Sequence, residues 1–182
     1  MTSPRDGGSS PEEGVYYRRQ DYAGFVRRLC IDLIDIAAVL VLWVSMSLGV
    51  FMLIPGDEPP VRQAGVLLAL ISFGYFVLLK RSPVRTLGYK LCGAQIVNLQ
   101  GVRPGIPSLT IRLLFAVFGP LHFLLDLVWI PSDKCHQALR DKFAHTYVVK
   151  AGSQPEGRGH LVYMTYHFMM FNFIFPEVQP RG

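Results

Sequence analysis

The chain has 182 residues, of which 51% are hydrophobic and 17% are charged, and its mean hydropathy is +0.31. A disordered chain needs low hydrophobicity and high net charge, so this composition excludes one. Soluble domains carry about 25% charged residues. The apolar residues here are gathered into blocks and not spread at core spacing, which argues against a soluble globular protein. The formal net charge is +5. The basic residues flank apolar segments, which indicates contact with lipid and not with nucleic acid.

The first part of the chain differs in composition from the rest. Residues 1–20 are rich in Ser, Pro, Gly and acidic side chains, which predicts a disordered cytoplasmic tail. Residues 21–150 contain the long apolar segments, and we expect them to form one membrane domain. Residues 151–182 are expected to form a linker followed by an aromatic, hydrophobic C-terminal extension.

Two uncharged segments predict a pair of membrane-spanning helices. Residues 36–54 form a run of nineteen, which at ~1.5 Å per residue covers about 28 Å of the ~30 Å hydrocarbon core of a bilayer. A turn rich in Pro and Gly follows at residues 55–60, and a second uncharged run covers residues 63–79. A buried hairpin in a soluble protein is the alternative, but its helices would carry a polar face, and these two do not.

The distribution of Lys and Arg predicts the orientation of this hairpin. Five arginines precede the first run, whereas the turn contains Asp57 and Glu58. Residues 80–112 contain six basic residues and no acidic one. Lys and Arg accumulate on the cytoplasmic side, so the N-terminus and this middle segment are predicted to be cytoplasmic. Within the middle segment, residues 95–97 are predicted to be extended.

The third apolar segment, residues 113–130, is interrupted by Gly119-Pro120. Proline can kink a spanning helix or separate two short helices. We expect a broken or re-entrant pair of helices, and a third complete crossing is the alternative. His122 and Asp126 are four residues apart in this segment, a spacing that suits either a proton relay or a structural contact.

The last apolar segment, residues 161–175, is strongly aromatic and short for a membrane span. We expect a hydrophobic C-terminal helix at the bilayer interface or packed on the bundle, with a fourth span as the alternative. The predicted fold class is therefore all-α, a multi-pass membrane helix bundle.

Several charged residues lie inside or next to the apolar segments. Arg28, Asp32 and Asp35 share one stripe of the first helix, because residues three or four apart lie on the same face. Asp35 lies at the boundary of the uncharged run, where a carboxylate is expected to face the bundle interior with a partner. Arg112 is a candidate partner for Asp35 or Asp141. A structural ion pair and an ion or proton pathway both fit these residues.

Enzymatic chemistry is not indicated. The chain contains no nucleophile-elbow, phosphate-loop or zinc-peptidase motif, so we expect no catalytic residue, no metal and no cofactor. The three cysteines, Cys30, Cys92 and Cys135, form no C-x-x-C pair and predict no disulfide framework.

Four motifs occur in an order that resembles one family. They are GFVRRLCIDLID at 24–35, TLGYKLCGAQIV at 86–97, PSLTIR at 107–112 and LRDKFAHTYVV at 139–149. With them the chain resembles the RDD family of integral membrane proteins, named for one arginine and two aspartates. The resemblance assigns these three residues to Arg28, Asp35 and Asp141. The chain departs from the usual pattern at two motif positions, where Arg140 replaces a His and His145 replaces a Gly. Asp32 is an additional acid in the entry helix, and the aromatic C-terminal extension has no counterpart in the family pattern.

The resemblance implies transport, since some members of the family are regarded as cation/proton antiporters. We therefore expect transport of a cation, proton or small solute through an oligomer, because so few spans cannot form a pore alone. The alternative is a non-catalytic membrane scaffold or assembly factor whose charges are structural clamps. The expected partners are the lipid bilayer and further copies or another membrane protein. The expected location is a bacterial inner membrane.

Overall fold

The computed structural model describes residues 13–53, 61–117, 129–130, 133, 135–168 and 171–180. In chain order its elements are β1 (Glu13–Tyr16), a 3-10 turn (Arg19–Asp21), α1 (Phe25–Leu53), α2 (Val61–Phe73) with a π-helical continuation (Gly74–Leu79), α3 (Leu87–Leu91), β2 (Ala94–Asn98), α4 (Ile106–Val117), α5 (Leu139–Ala144), β3 (Thr146–Lys150), β4 (Gly157–Phe168) and β5 (Phe171–Pro180).

Helices α1 and α2 form an apolar hairpin, as predicted. Helix α1 and the helix over Val61–Leu79 are long and apolar enough to cross a membrane, with mean hydropathies of 2.4 and 1.7. Only 6% and 11% of their apolar windows are buried by the rest of the chain. A core helix of a soluble protein would be mostly buried, so this exposure indicates contact with lipid. The indole of Trp43 donates a hydrogen bond of 2.9 Å to the Ala64 carbonyl and ties the two helices together.

A folded platform, formed by α3, β2, α4, α5 and β3, packs at the end of the hairpin where α1 begins and α2 ends. Strands β2 and β3 pair antiparallel, from Ala94 opposite Lys150 to Asn98 opposite Thr146. Side chains from the hairpin, the sheet and α4 share one core, which comprises Ala23, Ile31, Val77, Tyr89, Ala94, Ile96, Leu109 and Val148. The platform and the hairpin therefore share one hydrophobic core.

A second antiparallel sheet has the order β1-β4-β5. Strand β1 pairs with the start of β4, and β5 pairs along the whole of β4. The rings of Phe173 and Phe175 pack on Phe143 of α5, and their centroids lie 5.6 and 5.0 Å from the centroid of the Phe143 ring. The first and the last of the described strands thus belong to one sheet, and β5 packs on the platform.

The predicted all-α fold class is wrong, because the structure contains these two antiparallel sheets. The error is largest at residues 161–175, where the expected hydrophobic helix is part of a β-hairpin. Aromatic and β-branched residues favour strands. Alternate side chains there face opposite sides of the sheet: Tyr166, Phe173 and Phe175 contact one another or Phe143, whereas Tyr163 and Ile174 are exposed. The composition of the segment predicts an apolar element, but the alternation of its side chains that is typical of a strand was not identified from the sequence.

Three further expectations concern other parts of the chain. The tail predicted for residues 1–20 is ordered in its described part, since it contains β1 and the 3-10 turn. The extended conformation predicted for residues 95–97 is confirmed by β2. Helix α4 covers the start of the third apolar segment. Its Gly-Pro interruption, His122 and Asp126 lie outside the described residues, so the choice between a re-entrant pair and a crossing stays a prediction.

Candidate functional site

Asp141 is the centre of a buried charge cluster. Its side chain is fully buried in the first turn of α5, where it also accepts a hydrogen bond of 3.2 Å from the Ala138 N–H. Arg28 from α1 donates to one carboxylate oxygen, and Arg112 from α4 donates to the other. One carboxylate therefore connects three helices that are far apart in the chain.

Both arginines have further acceptors that fix their orientation. The Arg28 Nε donates to the Ala23 carbonyl at 2.9 Å. Arg112 donates to the Thr146 hydroxyl at 3.0 Å and to the Tyr89 hydroxyl at 3.3 Å. Because the guanidinium donors form a rigid planar fork, each arginine is held in one geometry. Of the two candidate partners for Arg112, the structure selects Asp141.

Asp35 occupies a separate, neutral environment. Its carboxylate is fully buried and accepts hydrogen bonds from the Thr86 hydroxyl at 2.7 Å, the Gly88 N–H at 2.7 Å and the Tyr75 hydroxyl at 3.0 Å. Thr86 and Gly88 stand at the start of α3, where helix N–H groups need acceptors from outside the helix. Asp35 of α1 therefore caps α3 from a distance of more than 50 residues along the chain.

Asp32 pairs with Arg140 of α5. Arg28 and Asp32, which share one stripe of α1, thus bind neighbouring residues of α5, Asp141 and Arg140. The cluster contains three arginines, Arg28, Arg112 and Arg140, and three aspartates, Asp32, Asp35 and Asp141, so its formal charges cancel. Buried charges are tolerated when they are paired or hydrogen-bonded in this way.

The aspartate oxygens of this cluster are already occupied by hydrogen-bond donors, which limits the chemistry that the cluster can perform. Each carboxylate oxygen of Asp35 and Asp141 accepts at least one hydrogen bond from a neighbouring group. Among the residues that the structure describes, no three His, Cys, Asp or Glu side chains lie together in a way that could hold a metal ion. The arrangement is suited to holding helices together. His122 and Asp126 lie outside the described residues, so their relation to the cluster stays a prediction.

Sequence reasoning missed the neutral members of the cluster: Tyr75, Thr86, Gly88, Tyr89 and Thr146. Tyr75 lies in the π-helical turn, and its hydroxyl also accepts a hydrogen bond of 3.0 Å from the Leu87 N–H. Such π-turns widen a helix locally and are frequent at functional sites. The signal for Thr86 and Gly88 was present, because both belong to the TLGYK motif, but the motif by itself does not reveal its partner.

A second ionic cluster joins α5 to the β4–β5 hairpin. The ammonium group of Lys142 lies 2.7 Å from Asp133 and 2.7 Å from Glu177, and it donates to the Tyr166 hydroxyl at 3.1 Å. Burial alone would lower the pKa of Lys142, but the two carboxylates outweigh burial and raise this pKa above its usual range. Lys142 is therefore charged throughout the physiological pH range.

Replacing Lys142 by Met is expected to loosen the β4–β5 hairpin from α5. The substitution leaves Asp133 and Glu177 without their cation, and a hydrogen bond to a charged group contributes about 1.5 to 3 kcal/mol. We expect faster amide hydrogen exchange in residues 157–180, measured by mass spectrometry. Lys90→Met, at an exposed lysine of α3, is the control and should leave this exchange unchanged. Equal exchange in Lys142→Met and wild type would show that the aromatic contacts alone hold the hairpin.

The pH dependence of this contact follows from the raised pKa. A basic group whose pKa is raised in the folded state contributes its full stabilisation of the fold at every pH below its unfolded-state pKa. For lysine this unfolded-state pKa is about 10.5. The stabilisation is lost only as the pH rises further, through the folded-state pKa. Hairpin exchange should therefore respond to Lys142→Met equally at pH 6 and at pH 9, once intrinsic exchange rates are corrected.

The fold and the cluster together define a membrane protein in which a two-helix apolar hairpin carries a charge-clamped platform. A family model for the RDD family matches residues 22–145, which is more than half of the chain. The chain therefore belongs to the RDD family. Comparisons with curated proteins and with solved structures found no match. The β1-β4-β5 sheet lies wholly outside the matched residues.

Proposed function

We propose that the protein is a non-catalytic membrane scaffold, in which the buried charges clamp the platform onto the membrane hairpin. The observation that carries this proposal is the saturation of the two family aspartates. Asp35 and Asp141 are both fully buried, and their oxygens are occupied by donors from α1, α3, α4 and the π-helical turn. Each clamp connects segments that are distant in the chain.

Transport through these aspartates is the competing function. A carboxylate that carries a cation or proton must exchange it with water on each side of the membrane, and such residues line water-filled paths. Neither of the two described cavities is lined by Asp35 or Asp141. A transport cycle would have to break the ion pairs of Arg28 and Arg112, which would leave charges buried without partners.

Association with other membrane helices is part of the proposal. Ser45 and Gly49 of α1, and Gly65 and Ala69 of α2, are exposed and spaced four residues apart. A Cβ added at Gly49 or Gly65 would meet no atom within 4 Å. Small residues at this spacing let a second helix approach closely. These faces support assembly with further copies of the chain or with another membrane protein.

The proposed orientation places the platform in the cytoplasm, with the protein in a bacterial inner membrane. The support comes from the basic residues that flank the hairpin at the platform end, since Lys and Arg accumulate on the cytoplasmic side. Arg18, Arg19 and Arg27 precede or open α1, and Lys80 and Arg81 follow α2.

A flux measurement tests the scaffold against the transporter. The purified protein is reconstituted into liposomes that contain a trapped pH-sensitive dye, and a sodium, potassium or proton gradient is imposed. We expect no dye response above that of empty vesicles, because the oxygens of Asp35 and Asp141 are already occupied by hydrogen-bond donors. An added ionophore must produce a full response in both samples, which proves that the vesicles are sealed.

A transporter would give a different result in the same measurement. Flux in the wild-type vesicles that disappears in Asp35→Asn, with the melting temperature of that variant retained, would overturn the scaffold proposal. Tyr75→Phe is the matched milder variant, because it removes one hydrogen bond from Asp35 but keeps the carboxylate. A scaffold predicts that both variants change only thermal stability.

A further inference from the structure

A basic cavity lies beside the charge cluster, at the end of the membrane hairpin. Its volume is about 350 Å³. It opens between the end of α2, the loop that leads to α3, and the loop that follows β2. The polar side chains that line it are Lys80, Ser82, Arg85, Tyr89, Gln95 and Arg103. Nothing in the RDD charge cluster requires this cavity, since neither Asp35 nor Asp141 lines it.

The charges of the cavity have one sign. Arg85 and Arg103 supply two permanent cations, and no acidic residue lines the cavity. Lys80 is the third basic residue; burial lowers its pKa to about 7, and a bound anion would favour its charged form. Among the residues that the structure describes, no carboxylate lies within 4 Å of any of the three, whereas Arg28, Arg112, Arg140 and Lys142 all have such a partner. Cations that converge without a carboxylate form a site for an anion.

Two of these cations are held in position by the fold. The Lys80 ammonium lies 4.7 Å from the centre of the Tyr89 ring and 5.3 Å from that of Phe76. Arg85 donates a hydrogen bond of 3.0 Å to the Ala94 carbonyl. Its φ of 62° lies in the left-handed region, which disfavours a residue with a side chain. Lys80 and Arg85 are therefore preorganised, and the exposed Arg103 completes the site.

The position of the cavity indicates which anion it meets. Lys80 directly follows the apolar helix that ends at Leu79, and Leu78 is 52% exposed beside it. A group bound at Lys80 thus sits at the depth of phospholipid headgroups, with an apolar surface available for acyl chains. Basic pockets next to membrane helices are suited to such headgroups.

We propose that the cavity lined by Lys80, Arg85 and Arg103 binds the phosphate group of an anionic phosphate compound, either a phospholipid headgroup or a soluble phosphate ester. Gln95 adds an uncharged hydrogen-bonding group for the remainder of the headgroup. The site does not depend on the scaffold proposal, because it is equally available in a transporter. Tyr89 separates the two sites, since its ring contacts Lys80 while its hydroxyl accepts from Arg112.

Binding can be measured as thermal stabilisation of the full chain in detergent micelles. The melting temperature is recorded against increasing phosphatidylglycerol, with phosphatidylcholine as the uncharged comparison. Glycerol 3-phosphate is tested separately at constant ionic strength, with chloride as its comparison. A ligand that binds only the folded state raises the melting temperature according to its concentration relative to Kd. Stabilisation by the lipid alone identifies a headgroup site, and stabilisation by both identifies a general phosphate site.

The decisive comparison uses two charge-matched double variants. Lys80→Gln with Arg103→Gln removes two cations from the cavity. Arg81→Gln with Lys90→Gln removes two exposed cations from the same end of the hairpin but outside the cavity. We expect at least about tenfold weaker binding in the first and no more than about twofold in the second, as two lost charge-assisted contacts predict.

Equal weakening in both double variants would overturn the proposal, because it would mean that anions respond only to the net surface charge. Failure of both ligands to stabilise the wild type would overturn it as well. If the Lys80/Arg103 variant melts below wild type without ligand, Arg103→Gln alone replaces it, since Arg103 is exposed. That single variant must still bind phosphatidylglycerol more weakly than Arg81→Gln does.

Discussion

Asp141→Asn is expected to lower the free energy of unfolding by about 3 to 5 kcal/mol, the cost of removing one partner from a buried ion pair. The asparagine retains the size of the side chain but not its charge. Arg28 and Arg112 are 3% and 5% exposed, so two guanidinium groups would be left buried with no carboxylate between them. A domain of this size loses roughly 2 to 4 °C of melting temperature per kcal/mol.

The measurement is thermal unfolding in detergent micelles, with Glu156→Gln as the matched control. Glu156 is exposed and lies 3.7 Å from exposed Arg18, and such surface pairs contribute at most about 1 kcal/mol. A third variant replaces Arg28 and Arg112 by Met and Asp141 by Leu. Because an apolar replacement leaves no unpaired charge, it should recover about half of the loss. A triple variant that is less stable than Asp141→Asn would contradict this explanation.

Gly88→Ala is expected to destabilise the protein by about 3 kcal/mol, through overpacking and the loss of a charged hydrogen bond. A Cβ at this position would collide with the backbone carbonyl oxygen of Ile31 and lie 2.8 Å from the Asp35 carboxylate. Backbone cannot rotate away as a flexible side chain can. Helix α3 would therefore move off α1 and lose the hydrogen bonds of Thr86 and Gly88 to Asp35.

Gly74→Ala is the control for this substitution, since a Cβ at Gly74 meets no atom within 4 Å. It should melt within about one degree of wild type or slightly above it, because Ala restricts the unfolded chain more than Gly does. Hydrogen exchange of residues 87–91 distinguishes local from global effects, and it should rise in Gly88→Ala alone. Unchanged exchange together with an unchanged melting temperature would show that α3 is not held tightly against α1.

Local patterns were sufficient for some elements of this fold. The runs at residues 36–54 and 63–79 predicted two helices, because their length and lack of charge leave few other stable conformations in lipid. Strand β2 was predicted from residues 95–97. The β4–β5 hairpin was not, because a segment rich in Tyr, Phe and Met is compatible with an interfacial helix as well as with a strand. Its conformation is settled by pairing with β1 and by packing on Phe143.

For the candidate site too, the sequence predicts some features and not others. Arg28, Asp32, Asp35, Arg112 and Asp141 were identifiable, since charges at the edge of apolar segments are costly and must have partners. The partners themselves were not identifiable. Spacing along α1 placed Arg28 and Asp32 on one stripe of the helix, but it did not show that each binds α5, more than 100 residues away. Gly88 was visible as part of a motif, whereas its close contact with Ile31 requires two packed helices.

The sequence alone therefore determined that this is a membrane protein with two apolar helices and a small set of charges at their boundary. The free energy of transferring an apolar segment from water into lipid depends on the composition and length of that segment, which are both visible in the sequence. Only the tertiary structure decided which charge meets which, that Asp35 has neutral partners, and that three basic residues line a separate cavity. Those contacts depend on how distant segments pack, and a buried charge is stable only where that packing brings its partner.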